Sequence, residues 1–231
     1  QDQKQFDLAT KTYAKISQDD PMFLNAELGR ADALVDAEKR DAAIEVLRGL
    51  ARSHGDVPRV HMSLGDVLRG LERYDEAVVA YNTAVGMIPD PAPNHWFLFY
   101  ARGISFEREN QWEKAEADFR KALELNPNQP LVLNYLGYSL VEAGRKLDEA
   151  QDMIERAVAA RPNDGYITDS LGWVLYRLGK FEEAVQPMEK AIELVPDDPI
   201  INDHLGDVYW KVGRKREAEF QWKRSLSFKP E

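Results

Sequence analysis

The sequence predicts an all-α chain built from one helix–turn–helix unit used repeatedly. Three observations predict it: alanine returns at a fixed period, a small residue precedes each alanine at a fixed distance, and proline or glycine follows at another. The alanines are Ala9, Ala43, Ala77, Ala115, Ala150, Ala184 and Ala218, stepping by 34 residues except for one step of 38 and one of 35. Twelve residues earlier stand Ala31, Gly65, Gly103, Gly172 and Gly206, with Gly137 at thirteen. Three residues after each small residue comes a bulky apolar one: Leu34, Leu68, Phe106, Leu140, Leu175 and Tyr209. Twelve after each alanine falls Pro21, Gly55, Pro89, Pro127, Pro162, Pro196 or Pro230.

These positions define the elements in order. Residues 1–23 fit only the second helix of a unit, with Phe6, Ala9, Tyr13 and Pro21 in register. Six full units follow as one array over 1–231: 24–57, 58–95, 96–129, 130–164, 165–198 and 199–231. Within each unit, apolar residues at i, i+3, i+4 and i+7 mark two amphipathic helices. The small residue on the first helix lets the second approach, and the alanine on the second reciprocates. Gly144, Gly179 and Gly213 fall between helices, where a left-handed residue is wanted. Proline after the second helix stops it. One extra residue near Lys146–Leu147 lengthens a turn. Four extra residues after Pro89 give "PDPAPNHW", whose alternating prolines favour a stiff extended segment that re-angles its neighbours or contributes to binding.

"LGWVLYRLGKFEEAVQPMEKAIELVP" (171–196) and "LGDVYWKVGRKREAEFQWKRSLSFKP" (205–230) carry the pattern most fully. In them the chain resembles the tetratricopeptide repeats, and the resemblance runs through its whole length. Departures are Gly55 for proline, Ala31 for glycine, and Arg30 and Arg102 for leucine. The resemblance implies a right-handed superhelical solenoid whose first helices line a concave face. The run from 130 onward also resembles bacterial cell-envelope scaffold proteins of that family, some of them adaptors for envelope proteases. That implies a periplasmic setting, with the cytoplasm as the alternative.

On such a face the off-core stripe of each first helix is exposed. In the fifth unit it reads Tyr166, Asp169, Ser170, Trp173, Tyr176 and Arg177; in the fourth, Leu131, Asn134, Tyr135, Tyr138 and Glu142. The third gives Phe97, Tyr100, Ile104 and Arg108, and the sixth Ile200, Asp203, His204, Asp207, Trp210 and Lys211. Aromatics with polar tips suit a partner-binding groove, because they bury area at little entropic cost. The same rings also suit packing on one another between repeats, and both readings stand. The groove reading takes Tyr100, Asn134, Tyr135, Tyr138, Tyr166, Asp169, Trp173, Tyr176, Asp203 and Trp210 as contacts, with Asn134 able to hold a peptide backbone through its amide. One subclass of the family grips chaperone C-terminal carboxylates with lysine and asparagine; here the matching positions are Tyr100, Asn134, Asp169 and Asp203. A neutral or basic, apolar-rich polypeptide is therefore the expected partner, rather than an acidic tail.

Several chemistries are excluded. A net charge of −10 repels nucleic acid. The absence of cysteine removes disulfides, thiol catalysis and thiolate-bound zinc. Gly172, Gly179 and Lys180 mimic a phosphate loop, but six residues separate the glycines where four are needed, and Phe181 occupies the place of the magnesium-binding hydroxyl. His54, His61, His95 and His204 lie scattered without ligand spacing, and no nucleophile elbow occurs. No enzyme, metal or cofactor is expected, and no stretch reads as a membrane span. Phe220, Trp222, Leu226 and Phe228 lie on the last helix with no capping helix after them. Two expectations follow: the chain is a piece of a longer array, and that helix self-associates, unless Trp222 folds back on its own repeat.

Overall fold

A computed structural model describes residues 2–228, with side chains from residue 5 onward. Among the described residues there are 13 α-helices and no strand. After α1 (Asp2–Tyr13) the helices pair as α2 (Phe23–Asp36) with α3 (Arg40–Ser53), α4 (Pro58–Gly70) with α5 (Tyr74–Gly86), and α6 (Trp96–Arg108) with α7 (Trp112–Leu125). The remaining pairs are α8 (Pro130–Glu142) with α9 (Leu147–Ala160), α10 (Gly165–Arg177) with α11 (Phe181–Leu194), and α12 (Pro199–Lys211) with α13 (Lys215–Phe228). Helices α2 to α13 thus form six successive hairpins. They gather into two compact units, Gln1–Asn126 and Pro127–Glu231. Pro230, the last proline in register, lies outside the described residues.

Local chemistry starts and stops each helix. Pro58, Pro130 and Pro199 occupy the first helical turn, where a missing N–H costs nothing. The Asp198 carboxylate accepts from the backbone N–H groups of Ile200 and Ile201 at 2.8 and 3.0 Å, and Asp164 does the same for Tyr166 and Ile167. All six first helices end in one closure, in which an N–H reaches back five residues. Its acceptors are the carbonyls of Leu34, Leu68, Phe106, Leu140, Leu175 and Tyr209, the bulky positions picked out by the period. The closure needs a left-handed residue. Gly144, Gly179 and Gly213 supply it at φ 62°, 77° and 83°, while Glu38, Glu72 and Asn110 supply it at 59°, 60° and 57°.

Holding a glutamate left-handed costs about 1–2 kcal/mol, partly offset by glycine's greater entropy loss on folding. Glu72→Gly is therefore expected to raise stability by about 0.5–1 kcal/mol, and Gly179→Ala to lower it by about 1 kcal/mol. Urea midpoints followed by circular dichroism check both signs.

The period alanines from Ala43 to Ala218 are fully buried, and Ala9 is half-buried. The glycine ahead of the alanine makes a further contact besides the close approach expected, which Gly137 shows at the Ala150 backbone. A Cβ on Gly65 would stand 2.5 Å from the Tyr81 ring, on Gly103 2.7 Å from Phe119, and on Gly172 2.5 Å from Met188. The glycine is a socket for the large side chain one turn beyond the alanine, so volume is conserved as a hole and a filler. Gly206 receives Trp222 in the same way, so Trp222 folds back on its own repeat, and its Nε1–H donates to Asp207 at 3.2 Å.

The two insertions behave differently. Lys146 takes a second left-handed conformation (φ 50°) and lengthens its turn, as expected. The proline run does not remain extended: Pro93–His95 coil into a 3-10 turn, held by the Ala92 N–H donating to His95 Nδ1 at 2.9 Å.

Candidate binding face on the first helices of the second unit

In the second unit α10 packs beside both α8 and α12. The side chains that join these three helices belong to the off-core stripe. On α10, the Trp173 Nε1–H donates to Glu142 of α8 at 2.6 Å, and Arg177 pairs with the same carboxylate at 3.5 Å. On the other flank, Asp169 of α10 accepts from His204 of α12, whose Nδ1 stands 3.1 Å from both carboxylate oxygens. The His204 ring stacks on Trp173 at 4.0 Å and 11°, and Tyr176 stacks on the same indole at 4.9 Å and 7°. The result is a ladder from α8 to α12 with Trp173 as its middle rung.

The electrostatics follow from burial and acidic surroundings. His204 is 8 % exposed. Burial works to lower its pKa, but the Asp169 hydrogen bond and charge, with Asp203 and Glu142, outweigh it and hold the pKa above the ordinary value. Burial, joined by the charges of Glu142 and Asp169, pushes the Tyr138 phenol up to about 12, so it stays a neutral donor. Burial likewise raises Asp207.

The ten candidate residues separate on this frame. Tyr166 is open, at 58 % exposure, and Asp203 is exposed. Tyr135, Tyr138 and Tyr176 are half-buried. Asn134 is half-buried as well, and its Oδ1 is buried without a hydrogen-bond partner. Trp173 is half-buried and engaged on its ring and its N–H, while Asp169 is buried against His204. Trp210 turns toward α13, where Lys215 Nζ lies 3.4 Å from its ring centre and Trp222 packs at 5.4 Å. Tyr100 belongs to the first unit, in an aromatic cluster with Trp96, Phe97 and Phe119. Burial raises its phenol pKa.

Two features emerge only from the structure. Leu131, Tyr166 and Ile200 are all exposed and occupy the second position of α8, α10 and α12, giving one open apolar residue in the first turn of each helix. His204 and Glu142, which stood on the stripe but outside the candidate set, fasten the ladder. The signal was present in the spacing: Asp169 and His204 lie 35 residues apart, one repeat and one residue, which places them on facing flanks of adjacent first helices.

The glycines that mimicked a phosphate loop are accounted for: Met188 fills the socket at Gly172, and Gly179 makes the turn. Among the described residues, no group of three or more His, Cys, Asp or Glu could hold a metal ion, and no helix is long and apolar enough to cross a membrane.

Comparison with known proteins agrees with this geometry. The tetratricopeptide repeat profile matches residues 28–93 and 100–165, and a second TPR repeat profile matches 172–213. A TPR repeat-containing protein of Pseudomonas aeruginosa is 28 % identical over 181 residues, covering 78 % of this chain and 30 % of that protein. Human tetratricopeptide repeat protein 13 is 28 % identical over 158 residues, covering 66 % and 18 %. The chain thus spans less than a third of either relative. Among solved structures, the Cut9–Hcn1 hetero-tetramer of APC/C aligns with a TM-score of 0.80 at 15 % identity, over 99 % of this chain and 43 % of that one. YrrB, described as a TPR protein with an unusual peptide-binding site, aligns at 0.62 and 21 % identity over 76 % and 88 %. MamA aligns at 0.60 and 20 % over 74 % and 95 %. At these identities the structural likeness establishes fold alone. With helix hairpins, left-handed closures and glycine sockets recurring in phase, and repeat profiles matching most of its length, the chain belongs to the tetratricopeptide repeat family.

Proposed function

We propose that this protein is a non-catalytic scaffold that holds a polypeptide partner against the first-helix face of its second unit. The observation that carries the reading is the row Leu131, Tyr166 and Ile200: three large apolar side chains left open at one position of three adjacent helices. Exposed apolar groups aligned in register and flanked by half-buried tyrosines suit a partner surface better than bulk solvent. Asp203, one turn after Ile200 on α12, is exposed, so a neutral or basic, apolar-rich segment is the complementary ligand. Tyr100 supplies a contact on the first unit's own surface. The peptide-binding site named for YrrB supports a peptide-holding role, and the finer reading, an adaptor in a bacterial cell envelope serving a protease or an assembly machinery, rests on the resemblance of the run from 130 onward.

Selection from a random peptide library displayed on phage tests this. Enrichment of sequences combining lysine or arginine with apolar residues is the expected outcome, with affinity falling as salt rises. Enrichment of acidic sequences, or none at all, rejects the proposal.

A second reading rests on α13, where Leu226 is 67 % and Phe220 57 % exposed. In it that helix pairs with another copy, and light scattering shows a mass that grows with concentration and reverts with Leu226→Glu. A concentration-independent monomer eliminates it.

A further inference from the structure

His204 joins the first helices of two successive repeats. Its ring is buried between the Asp169 carboxylate and the Trp173 indole, both on α10, while His204 itself rides on α12. Trp173 in turn is tied to Glu142 of α8. A change in the imidazole therefore acts at the junction through which α12 is fastened to the rest of the face. The charged groups around it are one-sided. Asp169 faces it from α10, Glu142 acts on it from α8, and Asp203 and Asp207 flank it on α12. On the other two helices packed on α12, Glu189 of α11 accepts from Tyr209 and pairs with Arg214, while Glu217 and Arg224 of α13 pair with Arg214 and Asp197.

We propose that His204 is a proton-operated latch between α10 and α12, clamping Asp169 and backing Trp173 when protonated and releasing its grip when the proton leaves to solvent. In the imidazolium form, a buried carboxylate meets a buried cation, and the indole face meets a positive ring. In the neutral form one N–H···O bond persists, but Asp169 is left buried with its charge uncompensated. Acidic surroundings raise the folded pKa above the ordinary 6.5. The latch contribution is therefore complete below about pH 6.5 and is lost as pH rises through the elevated folded value. A partner on this face is held more firmly below that value. That consequence rests on the binding-face reading, whereas the latch itself is tested with no partner present.

The test uses the full chain. The four histidine rings are titrated by NMR from pH 5 to 9, with His54, His61 and His95 as internal references. Amide hydrogen exchange of α12 is followed over the same range, corrected for intrinsic rates. We expect His204 to deprotonate above the ordinary imidazole value. Protection of α12 is expected to fall at least about threefold, with a midpoint coinciding with the His204 titration. His204→Phe, which keeps a stacking ring without a titrating proton, and Asp169→Asn, which removes the charge, should each abolish the fall. The proposal is overturned if His204 titrates at or below the ordinary imidazole value, or if α12 protection is flat across that titration. It also fails if either variant retains the same pH dependence. The first two outcomes need no variant, so they stand even if a substitution disturbs folding.

Discussion

Trp173→Ala is expected to destabilise the second unit by about 2–3 kcal/mol, less than a fully buried tryptophan because the ring is half-buried. Three interactions end together: the hydrogen bond to Glu142, the stack on His204 and the stack with Tyr176. Trp173→Phe keeps a stacking ring but loses the N–H bond, so it should cost only about 1 kcal/mol. Urea unfolding with exchange readout on α8, α10 and α12 checks the ordering. An alanine variant as stable as the parent would mean the ladder is not structural. Lost partner binding in Trp173→Ala would therefore report reshaping of the face as well as a missing contact, and it is the wrong variant for mapping the site.

Arg102→Met is expected to be the most damaging single change in the first unit, at about 3–5 kcal/mol. Arg102 departs from the leucine of the repeat pattern and reaches Asp118 with two bonds of 2.7 Å, the two side chains being 14 % and 8 % exposed. Its guanidinium also lies 5.6 Å from the Phe99 and Phe106 ring centres and donates to Asn82. Burial nevertheless holds the Asp118 pKa above the ordinary carboxylate value, against the pull of Arg102. Desolvation thus outweighs attraction at that carboxylate, so the pair specifies packing more than it stabilises. Two results follow. Removing arginine alone strands a buried carboxylate, whereas Arg102→Leu combined with Asp118→Leu should restore most of the loss. A double variant as unstable as Arg102→Met would refute this account of the pair.

The repeat period made the fold legible because each marked position answers a backbone or packing demand. Gly179 and Gly213 occupy left-handed turns, Pro199 opens a helix, and Ala184 is sealed where two helices meet. Glu38, Glu72 and Asn110 perform the same turn invisibly, because the six-residue closure imposes the left-handed conformation on residues with little preference for it. The socket partners were hidden for another reason. Tyr81, Phe119, Ile154, Met188 and Trp222 share a register but no chemistry, so only volume relates them.

The candidate face was legible in outline and not in detail. A helical projection places Asp169 and Trp173 on one stripe, yet it cannot say which flank a neighbouring helix covers. Asp169 lies on the covered flank, and Trp173 is engaged along its ring and its edge. Trp210 projects onto the same stripe but leans to α13, drawn by Lys215 and Trp222, where the preceding repeat has Phe181 and Met188. Tyr166 and Ile200 stayed open because they sit in the first turn, beyond the reach of the ladder.

Tyr166→Ala combined with Asp203→Lys provides the most direct measurement of the central claim, since both side chains are exposed and their replacement should leave stability within about 0.5 kcal/mol. Calorimetric titration of the double variant with the best library-selected peptide should give a Kd at least about tenfold weaker than the parent, or about 1.4 kcal/mol. An unchanged Kd in a variant that unfolds at the parental urea midpoint would contradict binding on the first-helix face.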